Sequence, residues 1–364
     1  MKKTTDYIAK TGKSLLGFGT MRLPDDAETA RMADAYIESG GMYFDTAYIY
    51  EGSEERLCRT LVKRHPRSAF FVANKLPPWE LKEKSDRDRI FDEQRRRTGL
   101  DYFDYYLVHS LDESREKMIE DFELFDYAFR QKEKGNARHV GFSYHGGTAF
   151  LDKLLTIYSD VEFVQLQLNY ADILRGPAGE WLEVANKHGK PIVVMEPVKG
   201  GTLAKLPETA QKLFLAHDGG RSVASWAIQY AATLPGVACL LSGMSSMAQM
   251  QDNIKTYGEM RPLTEGELAL IESALVELGK VSQVPCTACR YCVKDCPMGI
   301  DIAACFAIFN EMKRDKEESW NRKMMYRTMP KKAGDCTGCG SCMAHCPQKI
   351  DIPKEMAVVA KEMA

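Results

Sequence analysis

The stretch Met42-Tyr43-Phe44-Asp45-Thr46-Ala47-Tyr48-Ile49-Tyr50 decides how most of this chain reads. It begins as a short apolar and aromatic run suited to a buried strand, stops on a carboxylate, and places a tyrosine five residues beyond it. Seven further runs of this kind occur on either side: Leu15 to Thr20, Ala69 to Lys75, Phe103 to His109, His139 to Ser143, Glu162 to Leu168, Pro191 to Glu196 and Cys239 to Gly243. Longer amphipathic segments separate them, the alternation of β/α units. Asp25 or Asp26 can cap a helix that ends before Gly40-Gly41, with Ala30, Ala33 and Ile37 on its buried face. Ser222 can begin another that buries Ala224, Trp226, Ala227 and Tyr230, and Ser85 to Thr98 reads as a solvated helix face. Eight units predict an α/β fold of the closed (β/α)8, or TIM-barrel, type. A doubly wound sheet would carry three spaced glycines after its first strand, and Gly17-Phe18-Gly19-Thr20-Met21-Arg22 lacks the third.

The 364 residues balance 49 Lys and Arg against 51 Asp and Glu, so nothing attracts the chain in general to nucleic acid or to an acidic membrane surface. Met1 to Lys13 is basic without an apolar stretch behind it, and no run of about 18 apolar residues occurs. Neither a signal peptide nor a membrane span is expected, and the expected location is the cytoplasm.

The unusual number is eleven cysteines. Cys58, Cys239 and Cys305 are single and read as small buried apolar residues. The rest form two runs, Cys286, Cys289, Cys292 and Cys296 before Pro297, and Cys336, Cys339, Cys342 and Cys346 before Pro347. Both spell C-x2-C-x2-C-x3-C-P, and the offset of 50 also superposes Thr287 on Thr337 and Ile300-Asp301-Ile302 on Ile350-Asp351-Ile352, an internal duplication. Three closely spaced thiolates can cap three irons of a cubane, and the fourth lies too far round to close it easily. In the bacterial-type ferredoxin signature that this spacing resembles, the fourth cysteine serves the other cluster. Cys286, Cys289, Cys292 and Cys346 would then hold one 4Fe-4S cluster, and Cys336, Cys339, Cys342 and Cys296 the other. Two zinc sites are the competing reading. Ile302, Phe306, Phe309 and Met312 recur at helical spacing between the runs, and Lys313 to Arg327 is helix-compatible. Residues 285–364 are therefore expected to form a small, mainly helical bis-4Fe-4S ferredoxin-like domain behind a barrel of residues 1–284.

In a barrel of this kind the chemistry lies at the carboxyl ends of the strands. Those ends carry Asp45, Lys75 and His109, with Tyr50 in the loop after Asp45. Each alone has an ordinary structural explanation, but four ionisable groups at three successive strand ends are costly to bury without purpose. Phe44-Asp45-Thr46-Ala47-x-x-Tyr50, Gly52-Ser53-Glu54, Asn74-Lys75 and Val108-His109-Ser110 resemble the aldo/keto reductase family, and the likeness runs through Gly141-Phe142-Ser143, Gln165 to Asn169 and Ser242-Gly243 to Asn253.

The resemblance implies an oxidoreductase that reduces a small-molecule carbonyl or conjugated enone with NADPH or NADH. In it Tyr50 is the proton donor, Lys75 activates Tyr50, Asp45 holds Lys75, and His109 orients the carbonyl. It further implies a cofactor cradle of Gly19, Thr20 and Met21, of Ser143 and Gln165 at the carboxamide, of Glu196, Pro197, Val198 and Gly200 at the pyrophosphate, and of Gly243, Gln249, Asp252 and Asn253 at the adenosine. Two departures from the family pattern stand out: Met195 stands where an aromatic stacking residue is usual, and Gly243 and Gln249 stand where basic residues commonly meet a 2′-phosphate. NAD becomes credible on that ground, and the phosphate-binding end could also accept FMN. A nicotinamide moves two electrons as hydride and a cluster moves one, so an electron path through both domains to a ferredoxin or other redox partner needs an intermediary such as a flavin. The alternatives are an ordinary carbonyl reductase whose cysteine domain docks or senses, and a non-catalytic electron-transfer subunit. The pocket loops mix Arg22, Trp79 and His145 with apolar groups, a lining that suits many carbonyls.

Overall fold

The computed structural model describes residues 14–315 and 319–364. The basic start Met1 to Lys13, on which the expectation about a signal peptide rests, lies outside them. So does part of the segment expected to be helical between the cysteine runs.

Eight strands close into a barrel: β1 Leu15–Gly19, β2 Tyr43–Asp45, β3 Phe71–Leu76, β4 Phe103–Leu111, β5 Ala137–Tyr144, β6 Phe163–Gln167, β7 Ile192–Met195 and β8 Val237–Ser242. All neighbours pair in parallel and β8 returns to β1. Every strand end falls within two residues of the apolar run that predicts it. These runs are continuous because a parallel strand here is buried on both faces, by the barrel interior and by the outer helices.

Alternation along each strand then sorts the interior into layers. Tyr43, Phe71, Tyr105 and Phe163 fill the lower barrel, with the Tyr105 ring 4.8 Å from Tyr43 and 5.5 Å from Phe163. Gly141 makes room for this packing. A β-carbon there would lie 2.5 Å from the Phe163 carbonyl oxygen and 2.8 Å from its ring. Two or four residues further along the same inward faces come Asp45, Lys75, His109, Ser143, Gln165 and Gln167. The aromatic layer is thus the floor of a polar chamber at the strands' carboxyl ends.

Two helical expectations need correction. Asp25 does cap the helix Asp26–Glu38, accepting from the Glu28 N–H at 2.9 Å, but the buried face is Thr29, Met32, Ala33 and Tyr36, while Ala30 and Ile37 are only half-buried. The face is turned because the Tyr36 hydroxyl reaches inward to donate to the Tyr43 carbonyl at 3.1 Å. The helix Asp86–Thr98 is not simply solvated: Arg87, Ile90, Phe91, Gln94 and Thr98 are buried. Cys239 and Cys305 are buried as expected, whereas Cys58 is half-buried.

Compactness divides the described chain into two units. One comprises the residues up to Pro197 together with Ala227–Pro262, and contains all eight strands; the other is Val198–Trp226 with Leu263–Ala364. In the second unit the two cysteine runs share one apolar core built from Val284, Ile300, Ile302, Phe306, Phe309, Ile350, Ile352, Met356 and Val359. The duplicated Ile-Asp-Ile explains itself there. Its isoleucines enter the core, while Asp301 caps Ile302–Arg314 and Asp351 caps Ile352–Met363. Asn310 accepts from the Val284 N–H at 2.9 Å and donates to the Val284 carbonyl at 2.7 Å, fixing the chain just ahead of the first run. Among the described residues no helix is long and apolar enough to cross a membrane.

Candidate active site and cluster-binding site

Lys75 is the deepest functional group, with no exposed surface. Its ammonium donates to Asp45 Oδ1 at 2.5 Å and to the Thr46 carbonyl at 2.7 Å. Burial alone would push Lys75 down, but Asp45 and the nearby Tyr50 outweigh it and hold the ammonium charged. An unpaired charge at this depth would be several kcal/mol less favourable, so the pair stands or falls together. The Lys75 Nζ lies 5.0 Å from the centre of the Tyr50 ring, which is half-buried and therefore reachable from the mouth. The Tyr50 ring stands edge-on to His109 with centroids 6.2 Å apart. Burial first, then Lys75, His145 and Arg115, pushes His109 well below the usual histidine range, so it is a neutral imidazole at physiological pH. Trp79 packs on His109 at 5.3 Å, with the Arg115 guanidinium over the Trp79 ring at 4.9 Å. The four strand-end residues singled out by sequence thus converge.

The residues expected to hold a cofactor divide between the two units. Gly19 ends β1, Thr20 is buried with its hydroxyl donating to the Asp45 carbonyl at 2.7 Å, and Met21 begins the following turn. Ser143 is buried and accepts from the Ser110 N–H at 2.7 Å. Gln165 spends its amide N–H on the Met195 sulfur at 3.6 Å, and its Oε1 is buried without a hydrogen-bond partner. A buried carbonyl aimed into the chamber suits an amide N–H of a bound molecule. Glu196 adopts a left-handed φ of 53° beyond β7, and Pro197 is buried. Gly243 is exposed, and a β-carbon there would meet nothing within 4 Å. Gln249 is exposed and accepts from the Ser245 N–H at 2.8 Å, Asp252 is half-buried, and Asn253 donates to the Ser242 hydroxyl at 2.7 Å. Val198 and Gly200 belong to the second unit. Gly200 has φ 63° and sits against the backbone of Thr287, where a β-carbon would come within 2.5 Å of the Thr287 Cα.

In the second unit a small cavity is lined by Cys296 together with Cys336, Cys339 and Cys342, and by Ile300, Ile302, Ile352, Pro353 and Met356. The fourth thiol of the first run has therefore crossed to the second. Cys346 also lies within electrostatic reach of Cys292: burial, then the neighbouring Cys286, Cys346 and Cys342 sulfurs, pushes the Cys292 thiol up to about 12. The loops repeat their backbone shape. Ala288 and Arg290 in the first and Gly338 and Gly340 in the second have φ between 54° and 78°. Left-handed residues of this kind can turn backbone N–H groups toward an anionic centre, and the Ala288 N–H donates to Cys286 Sγ at 3.4 Å. Both alanine and arginine are strained in this conformation, by about 1 to 2 kcal/mol each.

The model of the aldo/keto reductase family matches residues 15–276, and that of the 4Fe-4S dicluster domain matches residues 285–350. The chain belongs to the aldo/keto reductase family. An uncharacterized oxidoreductase, YqkF of Bacillus subtilis, is 23% identical over 71% of this chain and 92% of its own length. L-galactose dehydrogenase of Arabidopsis thaliana is 26% identical over 72% of this chain and 87% of its own. Among solved structures, the aldo-keto reductase AKR11C1 from Bacillus halodurans in its holo form has a TM-score of 0.58 at 26% identity, covering 72% of this chain and 92% of that one. This protein is accordingly an oxidoreductase with an added 4Fe-4S domain.

Sequence reasoning left a polar layer of this aldo/keto reductase unread. Behind Lys75, the Asn74 amide donates to Glu54 Oε1 at 2.6 Å and accepts from Gln94 at 2.8 Å. Gln94 also donates to the Lys75 carbonyl at 2.8 Å and accepts from the Tyr106 hydroxyl at 2.9 Å, while Arg97 reaches Glu54 Oε2 at 3.2 Å. These groups fix the end of β3 and hence the lysine. The signal was the Glu54 that closes Gly52-Ser53-Glu54, together with the one glutamine in a helix whose other polar residues are, apart from Thr98, all charged.

Glu54 carries a pH signature. Burial raises its carboxyl from 4.5 to about 7, against Asn74 and Arg97, which lower it. The unfolded chain releases this proton near 4.5 and the folded chain keeps it to about 7, so this contribution to stability is complete below 4.5 and lost as pH rises through 7. The loss amounts to about 3 kcal/mol at about 1.36 kcal/mol per unit. Urea midpoints taken from pH 4.5 to 8 should fall more steeply for the native chain than for Glu54→Gln; parallel curves would show that Glu54 is already ionised when folded.

Proposed function

We propose that this protein reduces the carbonyl, or the conjugated enone, of a small molecule with a nicotinamide cofactor. We also propose that its C-terminal cysteines hold two 4Fe-4S clusters that exchange electrons with a redox partner. The observation that carries the catalytic part is the buried Lys75–Asp45 pair beside Tyr50 and His109. A bound reduced nicotinamide would supply the hydride. Tyr50 gives its phenolic proton to the oxygen that gains negative charge, a task suited to a tyrosine because it holds that proton at neutral pH. Lys75 stabilises the tyrosinate left behind, and Asp45 with the Thr46 carbonyl keeps the ammonium in place. Neutral His109 donates an N–H to the same oxygen and orients it. The unpartnered Gln165 Oε1 supports this reading as the acceptor for a carboxamide N–H, with Ser143 beside it on the neighbouring strand.

The adenosine end favours NAD. Glu28 Oε1 accepts from the Met247 N–H at 3.1 Å at the start of the helix Met247–Gly258, so a carboxylate already occupies that helix N-terminus. Glu28 also holds Arg31 in an ion pair, so that cation is already engaged, and neither Gly243 nor Gln249 offers a positive charge to a 2′-phosphate. Anaerobically purified protein should reduce members of a carbonyl and enone panel with a higher kcat/KM for NADH than for NADPH. Glu28→Gln should narrow that ratio by about tenfold. A native preference for NADPH would overturn the choice of NAD, and failure to bind either nucleotide would overturn the catalytic reading.

Within the second unit, the Gly200 backbone abuts Thr287 inside the first cysteine run. Hydride and single electrons still differ by one electron, so FMN extracted from the purified protein would identify the intermediary.

A further inference from the structure

The helix Ser319–Thr328 has an exposed face that its own core does not explain. Trp320 is 71% exposed, Met325 48% and Met324 38%. Tryptophan and methionine are characteristic of the centres of protein interfaces. Residues 319–332 contain Arg322, Lys323, Arg327, Lys331 and Lys332 and no acidic residue, in a chain whose net charge is −2. Arg322 is engaged with Glu311 at 3.1 Å, while Arg327 and Lys331 are exposed. An apolar patch followed by the exposed cations Arg327 and Lys331 is complementary to an acidic protein surface.

The position of this surface is set by the second cysteine run. The Tyr326 hydroxyl accepts from the Ala333 N–H at 3.0 Å, and Met329 packs on the core that also holds Cys336. The end of the helix is thereby anchored just ahead of Cys336. Beyond it, Cys339 is exposed and Met343 is 44% exposed, and residues 337–341 carry no charged side chain.

We propose that residues 319–332 form a docking surface for an acidic one-electron carrier protein, which exchanges electrons with the centre held at Cys336, Cys339, Cys342 and Cys296. This rests on the reading of that cavity as a 4Fe-4S site. A carrier is favoured over other occupants because the helix end is anchored just ahead of Cys336 and Cys339 of the same run reaches solvent, and electron transfer requires close approach. Each productive encounter moves one electron: the carrier is oxidised by one, the cluster is reduced by one, and no proton moves.

The test is anaerobic stopped-flow reduction of the full-length, cluster-loaded chain by a reduced acidic [2Fe-2S] ferredoxin, with dithionite as a reductant that needs no docking. The second-order rate with ferredoxin should fall about tenfold between roughly 50 and 300 mM salt. It should fall at least about tenfold at low salt in Lys323→Glu/Arg327→Glu/Lys331→Glu, and measurably in Trp320→Ala, while dithionite reduces all three proteins alike. Equal ferredoxin rates in the native and triple variants, or rates independent of salt, would overturn the proposal. So would charge-dependent binding to phosphatidylserine vesicles, or charge-dependent self-association, in the absence of any effect on the ferredoxin rate. If dithionite bleaches no iron-sulfur absorbance at all, the cluster reading itself fails and takes the proposal with it.

Discussion

Tyr50→Phe is expected to lower kcat for carbonyl reduction by a factor of about 10² to 10⁴, the usual contribution of a positioned general acid, and to leave nicotinamide binding unchanged. The substitution keeps the ring that stands between Lys75 and His109, at 5.0 Å from the ammonium and 6.2 Å from the imidazole, and removes only the proton. Loss should appear in kcat rather than in cofactor Kd, because the phenol acts on charge that develops during reduction. Lys75→Met should bring a comparable fall in kcat together with a loss of stability. It leaves Asp45 as an uncompensated buried carboxylate, a situation that costs about 3 to 5 kcal/mol. Lys75→Met/Asp45→Leu should recover part of that stability and none of the activity. Steady-state kinetics with nucleotide titration by fluorescence, paired with urea unfolding, separates these effects. Full activity in Tyr50→Phe would show that another group supplies the proton.

The crossed arrangement of the cysteines makes a second large prediction, read from iron content. If Cys296 serves the centre of the second run, Cys296→Ala/Cys339→Ala damages one cluster twice, and the chain should retain about four of about eight irons. Cys289→Ala/Cys296→Ala damages both clusters and should retain few or none. Without crossing the two outcomes exchange, since Cys289 and Cys296 would then share a cluster. The cavity lined jointly by Cys296, Cys336, Cys339 and Cys342 is the observation behind the first outcome. Iron and sulfide assays on anaerobically purified variants decide the matter. Carbonyl reduction by the same samples reports whether the barrel has stayed folded.

Much of this was legible in the chain. A buried parallel strand needs apolar residues on both faces, so eight continuous runs announced eight strands, and the period of two along them carried Asp45, Lys75 and His109 onto the faces that meet inside the barrel. The duplication was equally plain, because a loop that winds around a cluster fixes both cysteine spacing and the turn after it. The helix Asp26–Glu38 shows where local reading falls short. Its cap and its end follow from Asp25 and Gly40-Gly41, yet its buried face depends on where the Tyr36 hydroxyl finds a carbonyl on β2.

By itself, then, the sequence determined the order of the elements, the positions of the strand-end residues and the two cysteine frames, all of which are encoded over a few neighbouring residues. The tertiary structure alone decided which distant groups share a buried site. Glu54, Asn74, Gln94 and Tyr106 become one network behind Lys75, and Glu28 takes the N-terminus of the helix at Met247. Gly200 meets Thr287 backbone to backbone. The physical reason is common to all three: a buried polar group or a close backbone approach is satisfied by whatever chain closure brings to it, and closure joins residues that local patterning treats as independent.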